Sequence, residues 1–218
     1  MKKRVYIDIE TRSAAQIFNG VYPYAEHSST DILCICWAVD DGEVKGWANW
    51  RDDYDSLQEL VDIMSRPEEF QLSAYNANFE RTMLNTCGAK YGLPRTSVSQ
   101  WTCSAVLAAM HALPRALGDA AKALGTHKKD EQGKKAMMRL CKPRAAGKLK
   151  GQFWEYEEDP EGFTTMFEYC KDDVRAERGI AKRLPPLLPM EQKAWELDQV
   201  INDRGIKVDI DLAENIVK

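Results

Sequence analysis

A chain of 218 residues with a net charge of -4 is sized for one large α/β domain, or for a smaller domain plus a fragment, and its apolar and charged shares are those of an ordinary soluble globular protein. The longest apolar run, Ile32 to Val39, is far too short to span a membrane, and Met-Lys-Lys-Arg leads straight into a strand rather than a hydrophobic signal segment, so a cytoplasmic protein is expected. Six cysteines without a Cys-x-x-Cys pair, and only three histidines, make zinc unexpected and reduced, buried thiols the default.

Arg4 to Glu10 reads as a first strand, with Val5, Ile7 and Ile9 on one face and Tyr6, Asp8 and Glu10 on the other. Ile32 to Val39 reads as a second, central strand, and Cys34 and Cys36 on one of its faces read as packing residues. Asp40-Asp41-Gly42 is a hairpin turn signal into a third strand, Glu43 to Ala48. Asp55 to Ser65 has helical apolar spacing with Asp55 as N-cap. Phe70 to Tyr75 is a further strand, and Phe79 to Tyr91 a helix ending before Gly92-Leu93-Pro94. Ser99 to Ala112 begins as a strand and continues as a helix, and Pro114 opens the next helix.

The segment containing Lys128, Lys129, Lys134, Lys135, Arg139, Lys142, Arg144, Lys148 and Lys150 holds only Asp130 and Glu131 as acids, and the acidic stretch Glu155 to Glu161 follows it. A solvated helix and loop is one reading of this block. Phosphate contact is the other, because clustered lysine and arginine release counterions from a nucleic acid. Its helix spans Glu131 to Cys141, and Thr165-x-x-Glu168 is a capping box for a long helix through Arg183. Pro185, Pro186 and Pro189 mark a boundary. A helix from Glu191 to Asp203 and a short strand at Ile206 to Val208 come next, too few residues for an independent core, so this end reads as the start of something larger.

Asp8 and Glu10 lie two apart on a strand and project from the same face, where ionised side chains need a cation or hydrogen bonds. Tyr169 and Asp173 are four apart on a helix and share a face, while Asp172 points away from it. Asn76, Phe79 and Glu80 sit at a strand-to-helix junction. Each segment alone also has an ordinary structural reading: a strand end, a solvated aspartate, a helix N-terminal acid.

Together, Val-Tyr-Ile-Asp-Ile-Glu-Thr, Ala-Tyr-Asn-Ala-Asn-Phe-Glu-Arg and Tyr-Cys-Lys-Asp-Asp-Val resemble the three motifs of the DEDD superfamily of 3′–5′ exonucleases, and Tyr169 resembles the tyrosine-type branch. Leu113-Pro114-Arg115-Ala116-Leu117 through Cys141-Lys142-Pro143-Arg144, with the tail Trp195 to Gly205, is similar to the proofreading domain of bacteriophage-type family A DNA polymerases.

The resemblance implies an α/β, ribonuclease H-like mixed β-sheet flanked by α-helices, with an exonuclease domain over 1–185 and the start of a polymerase domain over 186–218. It implies two divalent cations, Mg²⁺ or Mn²⁺, held by Asp8, Glu10, Glu80 and Asp173, with Tyr169 orienting or helping to deprotonate the attacking water. Thr11 and Asn76 would contact a terminal nucleotide of single-stranded DNA, and Lys134, Lys135 and Arg139 its backbone. A nucleoside monophosphate would be the product. The enzyme would be a monomer in the cytoplasm of a bacterium or a phage-infected cell, joined to a polymerase domain in cis if the natural chain is longer.

One residue departs from the pattern: Glu80 stands where the family has aspartate. Its extra methylene moves the carboxylate by ~1.5 Å, which a water-mediated metal contact absorbs more readily than a direct one. An RNA-trimming exonuclease, a non-catalytic nucleic-acid-binding module and a fragment active only beside a polymerase remain open at the level of sequence.

Overall fold

The structure, a computed structural model, describes residues 2–51, 53–126 and 131–217. Five strands, β1 (Lys3–Arg12), β2 (Asp31–Val39), β3 (Lys45–Ala48), β4 (Phe70–Ala74) and β5 (Trp101–Cys103), form one mixed sheet in the order β3-β2-β1-β4-β5. Around it lie α1 (Val21–Glu26), α2 (Tyr54–Met64), α3 (Ala77–Cys87), α4 (Ser104–Met110), α5 (Leu117–Ala123), α6 (Glu131–Leu140), α7 (Pro160–Arg183), α8 (Pro189–Arg204) and α9 (Ile210–Val217). This is the expected α/β architecture of a mixed sheet flanked by helices.

The central strand is β1 rather than β2. It pairs antiparallel with β2 on one side and parallel with β4 on the other. β2 is apolar from Ile32 to Val39 because helices cover both of its faces, which buries it without placing it at the middle. Val5, Ile7 and Ile9 point into a core shared with Leu57, Leu60, Met83 and Leu84 of α2 and α3. Tyr6, Cys34 and Cys36 point the other way, against Phe167, Cys170 and Val174 of α7. The strand alternation expected from β1 is therefore the division between the two faces of the molecule.

Several boundaries differ from expectation, each for a local reason. Asp53, not Asp55, caps α2, its side chain accepting from the Ser56 amide. The helix after β4 starts earlier, at Ala77, and gives way at Gly88 to a 3-10 turn through Tyr91. α5 opens at Leu117 rather than at Pro114.

α7 begins at Pro160, capped by Asp159, whose carboxylate accepts from the Gly162 amide at 3.1 Å. Aspartate followed by proline is the stronger start signal. Thr165 lies inside the helix with its hydroxyl donating to the Glu161 carbonyl at 2.8 Å, so it forms no capping box. The strand expected at Ile206 to Val208 is absent: these residues carry no regular secondary structure, Ile206 is exposed, and α9 begins at Ile210.

α8 packs onto the body of the protein. Trp195 is buried in the main core, Gln192 Nε2 donates to the Trp101 carbonyl at 2.9 Å, and Asp203 accepts from both terminal nitrogens of buried Arg81 at 2.7 and 2.8 Å. Among the described residues, no helix is long and apolar enough to cross a membrane.

Candidate active site

The sheet topology creates the site. The parallel register of β1 with β4 runs from Lys3–Phe70 to Tyr6–Ser73, after which β4 ends at Ala74 and the chain turns through Tyr75 and Asn76 into α3. β1 continues beside β2, with Asp8 opposite Cys36 and Glu10 opposite Cys34. Asp8 and Glu10 thus stand just beyond the paired stretch of two parallel strands, where α/β sheets offer a crevice.

α7 crosses this crevice closely because the sheet residues under it are small. A Cβ on Gly46 would lie 2.8 Å from the Phe167 ring and 2.9 Å from Cys36 Sγ. The Cys170 thiol donates to the Asp8 carbonyl at 3.4 Å, which ties the helix to the strand. One ligand oxygen from each of Asp8, Glu10 and Asp173 comes within 4.8 Å of the others. Tyr169 lies one turn before Asp173, and burial and then the Asp173 charge raise its hydroxyl above the ordinary value. Asp172 is turned away and paired with Arg175.

Burial, then repulsion from Asp173, Glu10 and Glu80, pushes the Asp8 carboxyl far above the usual carboxylate range. Glu10 is raised mainly by burial, and Glu80 likewise, with Glu177 and Asp173 adding to it. Glu80 stands outside the three-carboxylate group, 5% exposed, with one carboxylate oxygen lacking any hydrogen-bond partner. Acidic oxygens crowded and buried in this way fit hard divalent cations, which would remove the repulsion and occupy the orphan oxygen directly or through water.

No family model matches the chain. A DNA polymerase from Bacillus phage SP02 is 37% identical over 222 aligned positions, which take in 99% of this chain and 33% of the polymerase. The chain therefore spans about a third of the length of that relative.

Two solved structures share the fold. RNase D from Trypanosoma brucei, in complex with RNA U12, superposes with a TM-score of 0.57 at 14% identity, covering 90% of this chain and 63% of that one. The family B DNA polymerase from Pyrobaculum calidifontis superposes with a TM-score of 0.54 at 18% identity, covering 84% of this chain and 24% of that one. The chain shares the fold of these two proteins.

A cleft of about 710 Å³ opens beside Glu10, lined among others by Thr11, Phe18, Tyr24, Phe79 and Lys134. The buried Thr11 hydroxyl shares a 2.9 Å hydrogen bond with the Tyr24 hydroxyl. Asn76 is the exposed N-cap residue of α3. Of the basic residues, Lys134 faces the cleft and Lys135 is exposed on α6. Arg139 pairs with Asp159 and lies over the Trp154 ring, as does Arg144, which pairs with Glu158. The acidic stretch Glu155 to Glu161 thus neutralises part of the basic block that precedes it, while Lys128 and Lys129 lie outside the described residues.

Two features had no signal in the sequence. Phe18, 81% exposed at the mouth of the cleft, sits in a segment without periodicity. Glu177 reads there as an ordinary helix acid, yet it is buried beneath the site.

Proposed function

We propose that this chain is a 3′–5′ exonuclease that removes nucleoside 5′-monophosphates from DNA 3′ ends with two divalent cations, Mg²⁺ or Mn²⁺, as the proofreading portion of a DNA polymerase of the bacteriophage family A type. The convergence of Asp8, Glu10 and Asp173 within 4.8 Å, backed by Glu80, carries this reading. The 37% identity to a phage DNA polymerase across the whole chain supports the DNA substrate and a polymerase domain in cis.

Asp8, Glu10 and Asp173 would hold the cations and Glu80 would reach one through water. Bound cations would supply charge stabilisation to the attacking and leaving oxygens of an in-line displacement. Burial, and then the neighbouring Asp173, Glu10 and Asp8, push the Tyr169 hydroxyl above its ordinary value. Tyr169 would orient the attacking water or, with bound cations offsetting those carboxylates, help to deprotonate it.

Thr11, Phe18 and Phe79 would grip the terminal nucleotide, and Asn76, which lines a separate hollow with Tyr75 and Asn78, would reach it only from outside this cleft. Lys134 and Lys135 would meet the phosphate backbone, and Arg139 would join them only by releasing Asp159. In this reading 1–185 carries the chemistry, 186–218 leads to the polymerase domain, and the enzyme works as a monomer in the cytoplasm of a bacterium or infected host.

The test is digestion of 5′-labelled single-stranded DNA and matched RNA with Mg²⁺, Mn²⁺ or EDTA. Stepwise shortening from the 3′ end of DNA with release of mononucleotides, abolished by EDTA and by Asp8→Ala with Glu10→Ala while DNA binding persists, is expected. Undiminished digestion by that double variant, or preference for RNA, would overturn the corresponding part.

A further inference from the structure

We infer that Glu177 is a positioning residue that fixes the spacing between the two halves of the acid site, Glu80 on α3 and Asp173 on α7. The inference rests on the reading of these acids as cation ligands. Glu177 is 1% exposed and lies one helical turn beyond Asp173 on α7. Its Oε1 accepts hydrogen bonds from the Ser73 hydroxyl at 2.7 Å and the Ser104 hydroxyl at 2.8 Å, and those two hydroxyl oxygens stand 3.2 Å apart.

The two serines belong to the elements that determine where α3 begins. Ser73 is in β4, and Ser104 is the first residue of α4. The start of α4 also holds the turn between β4 and α3, since the Ala105 amide donates to the Tyr75 carbonyl at 2.9 Å and the Cys103 thiol donates to it at 3.5 Å. One carboxyl on α7 therefore gathers a strand and a helix that together launch α3, and Glu80 lies in the first turn of α3. Asp173 and Glu80 come from segments remote in sequence, and this network links their two supports directly.

The energetics favour a positioning role over a stabilising one. A buried carboxyl is costly, its second oxygen has no hydrogen-bond partner, and an apolar side chain of similar size would fill the space at lower cost. What the acid provides is directionality. Two donors converging on one oxygen admit a single arrangement of β4, α4 and α7, whereas apolar contact tolerates sliding.

Three variants test this: Glu177→Gln, which keeps an acceptor oxygen for both hydroxyls; Glu177→Leu, which does not; and Ser73→Ala with Ser104→Ala, which leaves Glu177 in place. Mn²⁺ binding is measured by calorimetry without nucleic acid, alongside thermal melting and the kcat and KM of digestion.

Glu177→Gln is expected to bind Mn²⁺ as the unaltered protein does, while Glu177→Leu and the double serine variant weaken binding on the order of tenfold, with cooperative melting retained. Their kcat should fall with little change in KM. Unchanged Mn²⁺ binding in Glu177→Leu overturns the inference. So does a Glu177→Gln as weak as Glu177→Leu, since charge rather than spacing would then be what the cations require. If Glu177→Leu does not fold, the double serine variant decides by the same measure. Absence of Mn²⁺ binding in the unaltered protein overturns the cation reading itself, a result distinct from either of these.

Discussion

Burial raises the Glu177 carboxyl from an ordinary 4.5 to about 7, with hydrogen bonds from Ser73 and Ser104 opposing the rise. In the unfolded chain the same group ionises near its ordinary value, so between about pH 4.5 and 7 the folded state holds a proton that the unfolded state has lost. Folding stability from this group is therefore full below that window and declines as pH rises through it. Glu177→Gln removes the linkage. The variant should be more stable than the unaltered protein at pH 7, by on the order of 3 kcal/mol, with the gap closing toward pH 4.5. Denaturant melts at several pH values measure this, and parallel pH profiles for the two proteins would refute it. Residue by residue, the legible acids were those whose neighbours are local. Asp8 with Glu10, and Tyr169 with Asp173, follow from strand and helix spacing. Glu177 was not legible because its partners, Ser73 and Ser104, are distant in sequence, and only the fold buries it.

At the scale of elements, the site depends on how closely α7 approaches the sheet, and that approach is set at Gly46. A methyl group there would sit 2.8 Å from Phe167 Cζ and 2.9 Å from Cys36 Sγ, both inside the packed layer between β2, β3 and α7. Gly46→Ala should cost about 1–3 kcal/mol as overpacking and should weaken Mn²⁺ binding by shifting α7, which carries Asp173 less than two turns beyond Phe167. Chemical denaturation and calorimetry check the two effects together, and a variant with unchanged stability and Mn²⁺ affinity would show that α7 is seated by other contacts. Elements were legible where periodicity is strong, as in β1, β2 and the body of α7. Their ends were less so. Thr165 with Glu168 matches a capping box in composition, but Asp159-Pro160 starts the helix earlier and leaves Thr165 in its interior. Ile206 to Val208 has a strand's composition and no neighbouring edge to pair with.

For the whole molecule, the proline cluster near residue 185 separates the acids of the candidate site from the C-terminal helices but does not divide the fold. Every one of those acids lies before it, yet α8 returns to the body beyond it. Trp195 completes the main core, and Asp203 holds Arg81, which neighbours Glu80 in α3 and is 5% exposed. Burial would raise the Asp203 carboxyl, but hydrogen bonds from Arg81 and Tyr22 hold it below the ordinary range. A depressed folded value means this clasp contributes fully above the ordinary carboxylate range and is lost only as pH falls through the folded value. Ending the chain at residue 185 would uncover the apolar core surface that Trp195 covers and open Arg81 to water without its carboxylate partner, at a cost of roughly 1.5–3 kcal/mol or more from the uncovered apolar surface. That loss is a sizeable share of the stability of a typical domain, about 5–15 kcal/mol. The truncated chain should therefore melt far below the full one or fail to melt cooperatively, as read by circular dichroism. Asp203→Ala in the full chain should show a smaller loss of the same sign. A truncated chain that melts like the full one would mean that 1–185 is a folding unit by itself, with α8 only resting on it.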